Sequence, residues 1–397
     1  MYSFSDYSEN MEPRIVFINP PSPDGKSVVI RDINRSGRYS PERTLWPQTS
    51  LALIASVFEK DSVQILDCIA EEYSYQDVLE YFKSYNPTHV VIESVSCTIT
   101  MDMTVASLAK SLGAVTILIS PHGEALAEET KRRFPALDHV VRYEKHQEPE
   151  YAIRELITGQ TRLRSETFET LPPARQDLLP ISKYDIPLIG KGYTFVISSR
   201  GCAWKCSYCR TTVAWQTRPR FRSPEMIVKE IVLYGLKNVA FHSDVFTMRK
   251  EQVYEICDLM PKGVRWVCNS RVDTVDRALL QAMKRAGCWQ VFYGVESGDD
   301  GVLAANRKQA TVEQARQAVR WTKEIGLRVH GYFMLGLMQD TPVTMEKTLR
   351  LSRELPFDEV NFAVSAPYFG THFYEMASSR HWLTSEAWED YDQSGSA

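Results

Sequence analysis

Short apolar runs alternate with segments of helical periodicity along almost the whole chain, and this alternation limits the folds open to it. The run at residues 14–19 is rich in β-formers, and residues 48–60 repeat apolar side chains at helical spacing. A strand that is followed by a helix and then by another strand needs a crossover, which favours parallel sheets covered by helices. The pattern therefore predicts an α/β protein.

Residues 1–159 form the first predicted unit. Each β-rich run in it is followed by helical periodicity; the runs lie at residues 14–19, 63–67, 89–94, 115–119 and 139–142. This order predicts a doubly wound, Rossmann-like parallel sheet. Ligands of such sheets bind beyond the carboxyl ends of the strands, so the loops at 19–22, 94–97 and 120–123 are candidate binding loops.

A proline-rich segment separates this unit from a second one. Residues 160–192 contain four prolines and little periodicity, which predicts a linker. Residues 193–397 contain six strand–helix repeats and a short C-terminal tail. Six repeats rather than eight predict a partial (β/α)6 TIM barrel, with functional side chains at the carboxyl ends of the strands.

The charge balance excludes some classes of partner. The net charge is −4, from 46 basic and 50 acidic residues, so composition gives no electrostatic reason to expect nucleic-acid binding. No apolar run approaches the roughly 18 residues that a bilayer span needs. Residues 1–14 lack the basic start and apolar stretch of a signal peptide. We therefore expect a cytoplasmic protein with reduced thiols and no membrane partner.

Three of the eight cysteines are crowded together: Cys202, Cys206 and Cys209 form the pattern C-x3-C-x2-C after the first barrel strand. Thiolates suit iron–sulfur clusters, and three of them leave one iron open to a ligand. Structural zinc is the alternative, but it needs four ligands, and the nearest candidate, His242, lies 33 residues beyond Cys209. The other five cysteines are interpreted as core residues: Cys68, Cys97, Cys257, Cys268 and Cys288.

This pattern resembles the radical S-adenosylmethionine (SAM) superfamily over residues 193–373. The resemblance implies that the three cysteines are the metal ligands of a catalytic [4Fe-4S] cluster. It implies that the cluster passes one electron to SAM, giving a 5′-deoxyadenosyl radical that takes hydrogen from a substrate C–H bond. Tyr208 fills the aromatic position that lies against the adenine in the family.

Two further segments resemble SAM-binding motifs at the ends of the second and third barrel strands. The first contributes Ser243 and Asp244, although Asp244 could instead cap a helix. The second contributes Arg271, whose guanidinium suits the carboxylate of SAM. Arg271 could instead pair with Asp273 or Asp276 at the surface.

The segment GVESG resembles the fourth-strand motif of the same family and contributes Gly294 and Glu296 to the predicted cofactor site. Glu296 suits the ribose hydroxyls, because a carboxylate accepts hydrogen bonds from a diol. Gly294 is expected to let the backbone approach a ligand closely, since it has no Cβ.

Residues 14–157 resemble the cobalamin-binding domain of one radical SAM subgroup, through the segments NPP, WPQTSLA and LD. Members of that subgroup often methylate unactivated carbons with methylcobalamin. Two positions depart from the family: Ile119 and Ser120 replace a pair of glycines, and Tyr143 and Lys145 stand where glycine is usual. We therefore expect a domain that kept the fold while cobalamin binding was lost or weakened.

Two sets of polar residues near this groove have open interpretations. His122 and His146 could be cobalt ligands but are interpreted as polar loop residues. Four arginines follow the first strand and form either a solvated surface loop or a positively charged lid over the active site. They are Arg31, Arg35, Arg38 and Arg43.

The main hypothesis is a radical SAM enzyme that abstracts hydrogen from a polar, hydroxylated small molecule without cobalamin, in a dehydration, deoxygenation, epimerisation or rearrangement. The expected partners are that substrate and a flavodoxin- or ferredoxin-type electron donor. The alternatives are a cobalamin-dependent C-methyltransferase and a non-catalytic iron–sulfur sensor or scaffold. Six side chains on or near the barrel strands could contact the substrate: Tyr193, His242, Tyr293, Tyr332, Asn361 and Tyr368.

Overall fold

A computed structural model describes most of the chain. The described residues are 12–32, 37–119, 127–141, 148–187, 189–215, 218–385 and 387–390. Two parallel sheets dominate them, so the predicted α/β fold class is confirmed. Within these ranges, no helix is both long enough and apolar enough to cross a membrane.

The N-terminal part of the chain forms a five-stranded parallel sheet with a small hairpin after its first strand. The strands are β1 (Ile15–Asn19), the hairpin strands β2 (Val29–Ile30) and β3 (Arg38–Tyr39), then β4 (Val63–Asp67), β5 (His89–Glu93), β6 (Val115–Ile119) and β7 (His139–Val141). The sheet order is β4-β1-β5-β6-β7, so the winding reverses between β1 and β5. Crevices at such a reversal bind ligands in α/β proteins.

Helices cover both faces of this sheet, as the alternation predicts. Val16 and Ile18 pack into one apolar cluster and Ile15 and Phe17 into another, and all four are fully buried. A strand buried on both faces reads as a continuous apolar run. The helices are α1 (Thr49–Ala55), α2 (Cys68–Glu71), α3 (Tyr75–Tyr85), α4 (Ile99–Ser111), α5 (Ala127–Arg133) and α6 (Pro149–Thr158).

The predicted linker, residues 160–192, contacts both sheets. The Tyr184 hydroxyl donates to Asp67 at the end of β4 over 2.9 Å. The Gln176 amide donates to the carbonyl of Phe195 over 3.0 Å and to Glu230 over 2.9 Å, both in the barrel. The segment ends in a hairpin of β8 (Asp185–Ile186) and β9 (Gly190–Lys191).

The second sheet has six parallel strands in sequential order and is an incomplete barrel. Its strands are β10 (Thr194–Val196), β13 (Asn238–Phe241), β14 (Arg265–Arg271), β15 (Cys288–Glu296), β16 (Arg328–Leu335) and β17 (Glu359–Val364), and β11 (Ser199–Arg200) pairs with β12 (Arg220–Phe221) beside it. The helices are α7 (Thr211–Trp215), α8 (Pro224–Leu233), α9 (Lys250–Leu259), α10 (Arg277–Arg285), α11 (Asp300–Ala305), α12 (Val312–Glu324), α13 (Pro342–Glu354) and α14 (His372–Ser379).

The barrel strands alternate between an outer and an inner apolar layer. Trp266, Val291 and Phe333 point outward and pack with the surrounding helices. Phe195 and Phe292 belong to the separate inner cluster that fills the lumen near the β8–β9 hairpin. The open part of the lumen therefore lies towards the carboxyl ends of the strands, where a parallel barrel carries its chemistry.

The last described segment returns to the N-terminal part of the chain. Trp388 is buried in the apolar cluster beneath α3 and α4. Arg133 of α5 donates to Glu389 over 2.7 Å and lies 5.0 Å from the ring centroid of Trp388. The sequence assigned this tail to the barrel unit. The tail thus connects the barrel unit to the N-terminal sheet.

Candidate active site

The three cysteines of the C-x3-C-x2-C pattern lie in one loop between β11 and α7, at the barrel mouth. Cys202 and Cys206 are buried, Cys209 is half-buried, and none forms a disulfide. The amide of Cys209 donates to the carbonyl of Cys206 over 3.1 Å, which closes a turn between them. One short loop therefore presents three free thiols.

Asp244 fastens both ends of this loop. Its carboxylate accepts from the amide of Gly201 over 2.8 Å and from the hydroxyl of Thr211 over 2.7 Å. Gly201 has a φ of +83°, and a Cβ there would lie 2.7 Å from the carbonyl oxygen of Arg218, so only glycine fits. The helix-cap alternative for Asp244 is wrong, because Val245 and not Asp244 occupies the N-cap position of the turn that follows.

The thiols fit an iron–sulfur cluster better than a single metal ion. Burial raises the pKa of Cys202 to about 12 and that of Cys209 to about 11, and coordination to iron removes such protons. Among the described residues, no group of three or more His, Cys, Asp or Glu side chains is placed to hold one metal ion. His242 is bonded to Asp32 instead, so the zinc alternative finds no fourth ligand there.

Arg271 reaches the cysteine loop from the end of β14. Its Nη1 lies 3.9 Å from the sulfur of Cys206, and its guanidinium lies 4.1 Å from the ring centroid of Trp204. It donates to both oxygens of Asp273 over 2.8 Å and to the carbonyl of Lys308 over 2.6 Å. The pairing with Asp273 that the sequence left open occurs, but in a buried setting beside the thiols.

Glu296, at the end of β15, has a φ of +68°, a strained value for a residue with a side chain. Its carboxylate pairs with the Lys308 ammonium over 2.7 Å. A Cβ on Gly294 would lie 2.5 Å from Oε1 of Glu296 and 3.0 Å from Nζ of Lys308. The missing side chain of Gly294 makes room for this ion pair, and the close approach of its backbone to a ligand remains a prediction.

Tyr208 lies against the same charged pair. Its hydroxyl is buried without a nitrogen or oxygen partner among the described residues. Burial, Glu296 and Cys206 raise its pKa. A buried hydroxyl without such a partner, beside the Glu296 carboxylate, fits the binding of a polar ligand such as SAM at this mouth.

His242 joins the barrel to the N-terminal sheet. Its Nε2 lies 2.8 Å from Oδ2 of Asp32, which also accepts from the Trp46 indole over 3.1 Å. The imidazole stacks on Phe195 with 4.9 Å between ring centroids. These residues line a small cleft together with Glu93 of β5. The carboxyl edges of the two sheets therefore meet at His242.

Other predicted contacts divide between the lumen and the core. The Ser243 hydroxyl is buried 2.5 Å from that of Ser198, at the barrel mouth. Tyr332 and Asn361 are register partners on the lumen side of β16 and β17. Tyr293 points outward into the helical layer and bonds a threonine of α12, so the expectation that it contacts substrate is wrong.

The arginine loop after β1 is divided: Arg43 is exposed and Arg38 partly exposed, as in a surface loop, whereas Arg31 is not. Arg31 is fully buried and forms an ion pair with Asp102 of α4 over 2.6 Å. It also donates to the carbonyls of Pro20 and Pro21 over 2.9 and 3.2 Å. Arg31 therefore clamps the loop that leaves β1. Arg38 forms an ordinary, partly exposed ion pair with a neighbouring glutamate.

Several sequence-level interpretations fall on residues outside the described ranges. They are Arg35, Ser120, His122, Tyr143, Lys145 and His146. Ile119 ends β6 and is fully buried. The predicted obstruction of the cobalamin groove by Tyr143 and Lys145 remains a prediction.

A buried ion cluster ties the N-terminal sheet to the cysteine loop. Arg200, two residues before Cys202, is 1% exposed and pairs with Glu150 over 2.6 Å and with Glu148 over 3.4 Å. Glu148 also pairs with Arg220 on β12. Burial raises the pKa of Glu148 against the effect of both arginines. The start of α6 is thereby fixed to the strand that leads into the loop.

Comparison with known proteins agrees with this geometry. Residues 196–352 match the family model of the radical SAM superfamily. The chain carries a radical SAM domain. This radical SAM enzyme is thus of a class that uses a [4Fe-4S] cluster, SAM and a reductant, which confirms that part of the sequence prediction.

Relatives of the radical SAM enzyme extend beyond that domain. An uncharacterized methyltransferase of Pyrococcus horikoshii is 28% identical over 412 residues, which cover 95% of this chain and 86% of the relative. The anaerobic magnesium-protoporphyrin IX monomethyl ester cyclase of Rubrivivax gelatinosus is 25% identical over 369 residues, covering 83% of this chain and 66% of the relative. The relatives thus include a methyltransferase and a cyclase, and both matches extend through the N-terminal unit as well as the barrel.

A solved structure shares the whole architecture. TsrM of Kitasatospora setae, a radical SAM methyltransferase solved with tryptophan and a SAM analogue, superposes with a TM-score of 0.68 at 16% identity. The match covers 92% of this chain and 76% of TsrM. TsrM has also been solved with cobalamin and a [4Fe-4S] cluster. The Rossmann-like sheet and partial barrel predicted from sequence are therefore confirmed.

Three residues of this radical SAM site were missed by sequence reasoning: Lys308, Trp204 and Asp32. Trp46 starts the segment WPQTSLA that the sequence analysis assigned to the cobalamin-binding resemblance. Trp204 lies inside the cysteine motif, so its position beside the cluster loop was readable from the sequence. Lys308 and Asp32 meet their partners only through the tertiary fold. Neither residue belongs to a periodic or regularly spaced sequence pattern that would have identified it as part of the site.

Proposed function

We propose that this radical SAM enzyme is a cobalamin-dependent C-methyltransferase acting on a small molecule. The observation that carries the proposal is the contact between Asp32 and His242 over 2.8 Å. Asp32 follows the clamped loop at the end of β1, beside the reversal of the sheet, and His242 follows β13 at the barrel mouth. A cofactor in the N-terminal crevice would thus face the cysteine loop across one chamber.

The loop at the barrel mouth has the residues to hold a [4Fe-4S] cluster and SAM. Cys202, Cys206 and Cys209 would be the cluster ligands, and the cluster would supply the electron that cleaves SAM. Asp244 keeps the loop closed through its bonds at both ends. Arg271 would face anionic groups near Cys206, as its 3.9 Å approach supports.

The ribose side of the SAM site would be formed by the charged pair at the end of β15. The Lys308 ammonium holds one oxygen of the Glu296 carboxylate in place, so that its other oxygen can accept hydrogen bonds from a diol. Tyr208 would lie along the adenine, and Ser243 would complete the polar rim.

Cobalamin, when bound, would supply the methyl group. On the barrel side, the chamber has aromatic walls from Trp46 and Phe195, with His242 held between them. Aromatic walls exclude water from a site where a reactive radical forms. The Asp32 carboxylate fixes one ring nitrogen of His242, which leaves the other to bond a polar group of the substrate.

The test is anaerobic reconstitution with iron, sulfide and hydroxocobalamin, followed by gel filtration and assay with SAM that carries a deuterated methyl group. The assay includes a low-potential reductant such as titanium(III) citrate, because only cobalt reduced by two electrons to Co(I) can take a methyl cation from SAM. We expect stoichiometric cobalamin and transfer of the label to it. A variant with all three loop cysteines changed to alanine should keep cobalamin and lose iron, because the two sites are on different sheets.

Protein that forms 5′-deoxyadenosine but retains no cobalamin would overturn the methyltransferase proposal. It would restore hydrogen abstraction without cobalamin as the leading function. Protein that holds a cluster but forms no 5′-deoxyadenosine with dithionite and SAM would instead favour the sensor alternative.

A further inference from the structure

Exposed cations from three separate segments surround the cysteine loop. Lys205 lies within the loop itself, and Arg218 lies on the segment whose carbonyl packs against the loop's first glycine. Arg307 follows Asn306, which bonds Ser207 of the loop through both backbone and side chain, over 3.0 and 2.9 Å. All three cations are exposed. We call Lys205, Arg218 and Arg307 the basic rim.

The charges of the basic rim are not neutralised by ion pairs. No ion pair of the described residues involves any of its three side chains; the same holds for some exposed cations elsewhere, such as Lys229 and Lys237, whereas others are paired. Arg316 of α12 pairs with Glu354, and Lys323 pairs with Asp358 over 2.8 Å. The chain as a whole has a net charge of −4. The rim is therefore a local positive field on an acidic protein.

The same rim is where the cysteine loop comes closest to solvent. Ala203 and Lys205 are exposed, and Cys209 is only half-buried, whereas the opposite side of the loop is closed by Asp244 and Arg271. An electron that must reach a cluster held by these cysteines has its shortest protein path here.

We propose that the basic rim is the docking surface for an acidic one-electron carrier protein of the flavodoxin or ferredoxin class. The inference rests on the proposed cluster ligands but not on cobalamin. Electron-transfer complexes are small and weak, burying less than about 1,200 Å², and complementary charge steers their encounter. In the transfer itself, the carrier loses one electron and the enzyme gains it, and no bond or proton changes hands.

The test compares two electron sources on the reconstituted full chain. A triple variant, Lys205→Glu with Arg218→Glu and Arg307→Glu, is mixed anaerobically with reduced flavodoxin in a stopped-flow instrument at low ionic strength. We expect flavodoxin oxidation to slow by about tenfold or more, since steering raises association rates by orders of magnitude. Added salt should slow the wild-type reaction and not that of the variant.

Two controls separate docking from damage to the loop. In the double variant Arg218→Glu with Arg307→Glu, SAM cleavage driven by dithionite should be within about twofold of wild type, because a small reductant needs no docking. Reversal of three exposed lysines away from the loop, Lys229, Lys237 and Lys262, should leave the flavodoxin rate unchanged. The double variant Arg218→Glu with Arg307→Glu leaves the cysteine motif untouched and should show most of the effect.

A wild-type flavodoxin rate that is insensitive to salt and to all rim variants would overturn the proposal. So would equal losses with flavodoxin and with dithionite in the double variant, since they would show damage to the cluster site. Neither the flavodoxin rate nor the dithionite rate depends on cobalamin content. The docking proposal can therefore be tested even if the methyltransferase proposal fails.

Discussion

Replacing Arg31 by methionine should lower the free energy of unfolding more than any surface substitution does. All five hydrogens of the guanidinium are used: two bond Asp102 over 2.6 and 3.1 Å, and one each bonds Asn19, Pro20 and Pro21 over 2.9 to 3.2 Å. The two side chains of the ion pair are 0% exposed. Methionine fills much of the volume but donates none of these bonds.

The cost follows from the partner that is left behind. The Asp102 carboxylate would keep only the hydroxyl groups of Ser94 and Thr98, each 2.7 Å away. Removing one partner of a buried ion pair costs about 3–5 kcal/mol. Since 1 kcal/mol shifts the melting temperature of a large domain by about 2–4 °C, we expect a fall of roughly 6–20 °C for Arg31→Met.

Urea and thermal unfolding followed by circular dichroism measure this loss. Arg38→Met removes a partly exposed pair with Glu42 and should cost less than about 1 kcal/mol. Changing Arg31 to Met and Asp102 to Leu together should recover part of the stability, because no charge is then left buried. If the free energy of unfolding of Arg31→Met is within about 1 kcal/mol of that of wild type, the clamp does not stabilise the fold. The interpretation of the arginine loop as a lid would then be favoured again.

Three further predictions concern the site and the barrel. Alanine at any one of the three loop cysteines should abolish iron and sulfide uptake, whereas Cys257→Ala should retain both, as metal analysis would show. Gly294→Ala should weaken SAM binding by about tenfold or more in calorimetric titration, about 1.4 kcal/mol, because its Cβ would collide with the ion pair, while Gly301→Ala in α11 should change it little. Burial lowers the pKa of His330 below its usual 6.5. As pH falls, the unfolded chain therefore binds the proton first, and the free energy of unfolding drops from pH 7 towards about 5. In urea titrations the His330→Gln variant should lose less stability over that window than wild type, and equal losses would show that His330 is not the cause of the pH dependence.

The sheet strands were largely predictable from sequence. β4 and β6 match their predicted bounds residue for residue, because both are short segments of β-branched and apolar residues between polar segments. The short helices α2, α7, α11 and α14 were missed, since so few residues carry little periodicity and depend on tertiary packing. α1 is shorter than the periodicity suggested and ends at Ala55 rather than near Lys60.

The candidate site was predictable where chemistry follows local spacing and not where it depends on distant partners. The cysteine triplet lies within eight residues, so its pattern alone placed the thiols in one loop. Arg31 looked like one of several loop arginines because its partner, Asp102, lies 71 residues further along the chain. The pairing of His242 with Asp32 spans even more sequence and needs both sheets to be in place.

The buried cluster of Arg200, Arg220, Glu148 and Glu150 sets a rule for engineering chimeras of this enzyme. Two arginines on the barrel side meet two glutamates on the N-terminal side, so each half alone carries an excess of one sign at the seam. A transplanted N-terminal half without both acids would bury two uncompensated cations just ahead of Cys202. Exchange of the two halves between relatives should therefore succeed only when the four residues are moved or redesigned as a set.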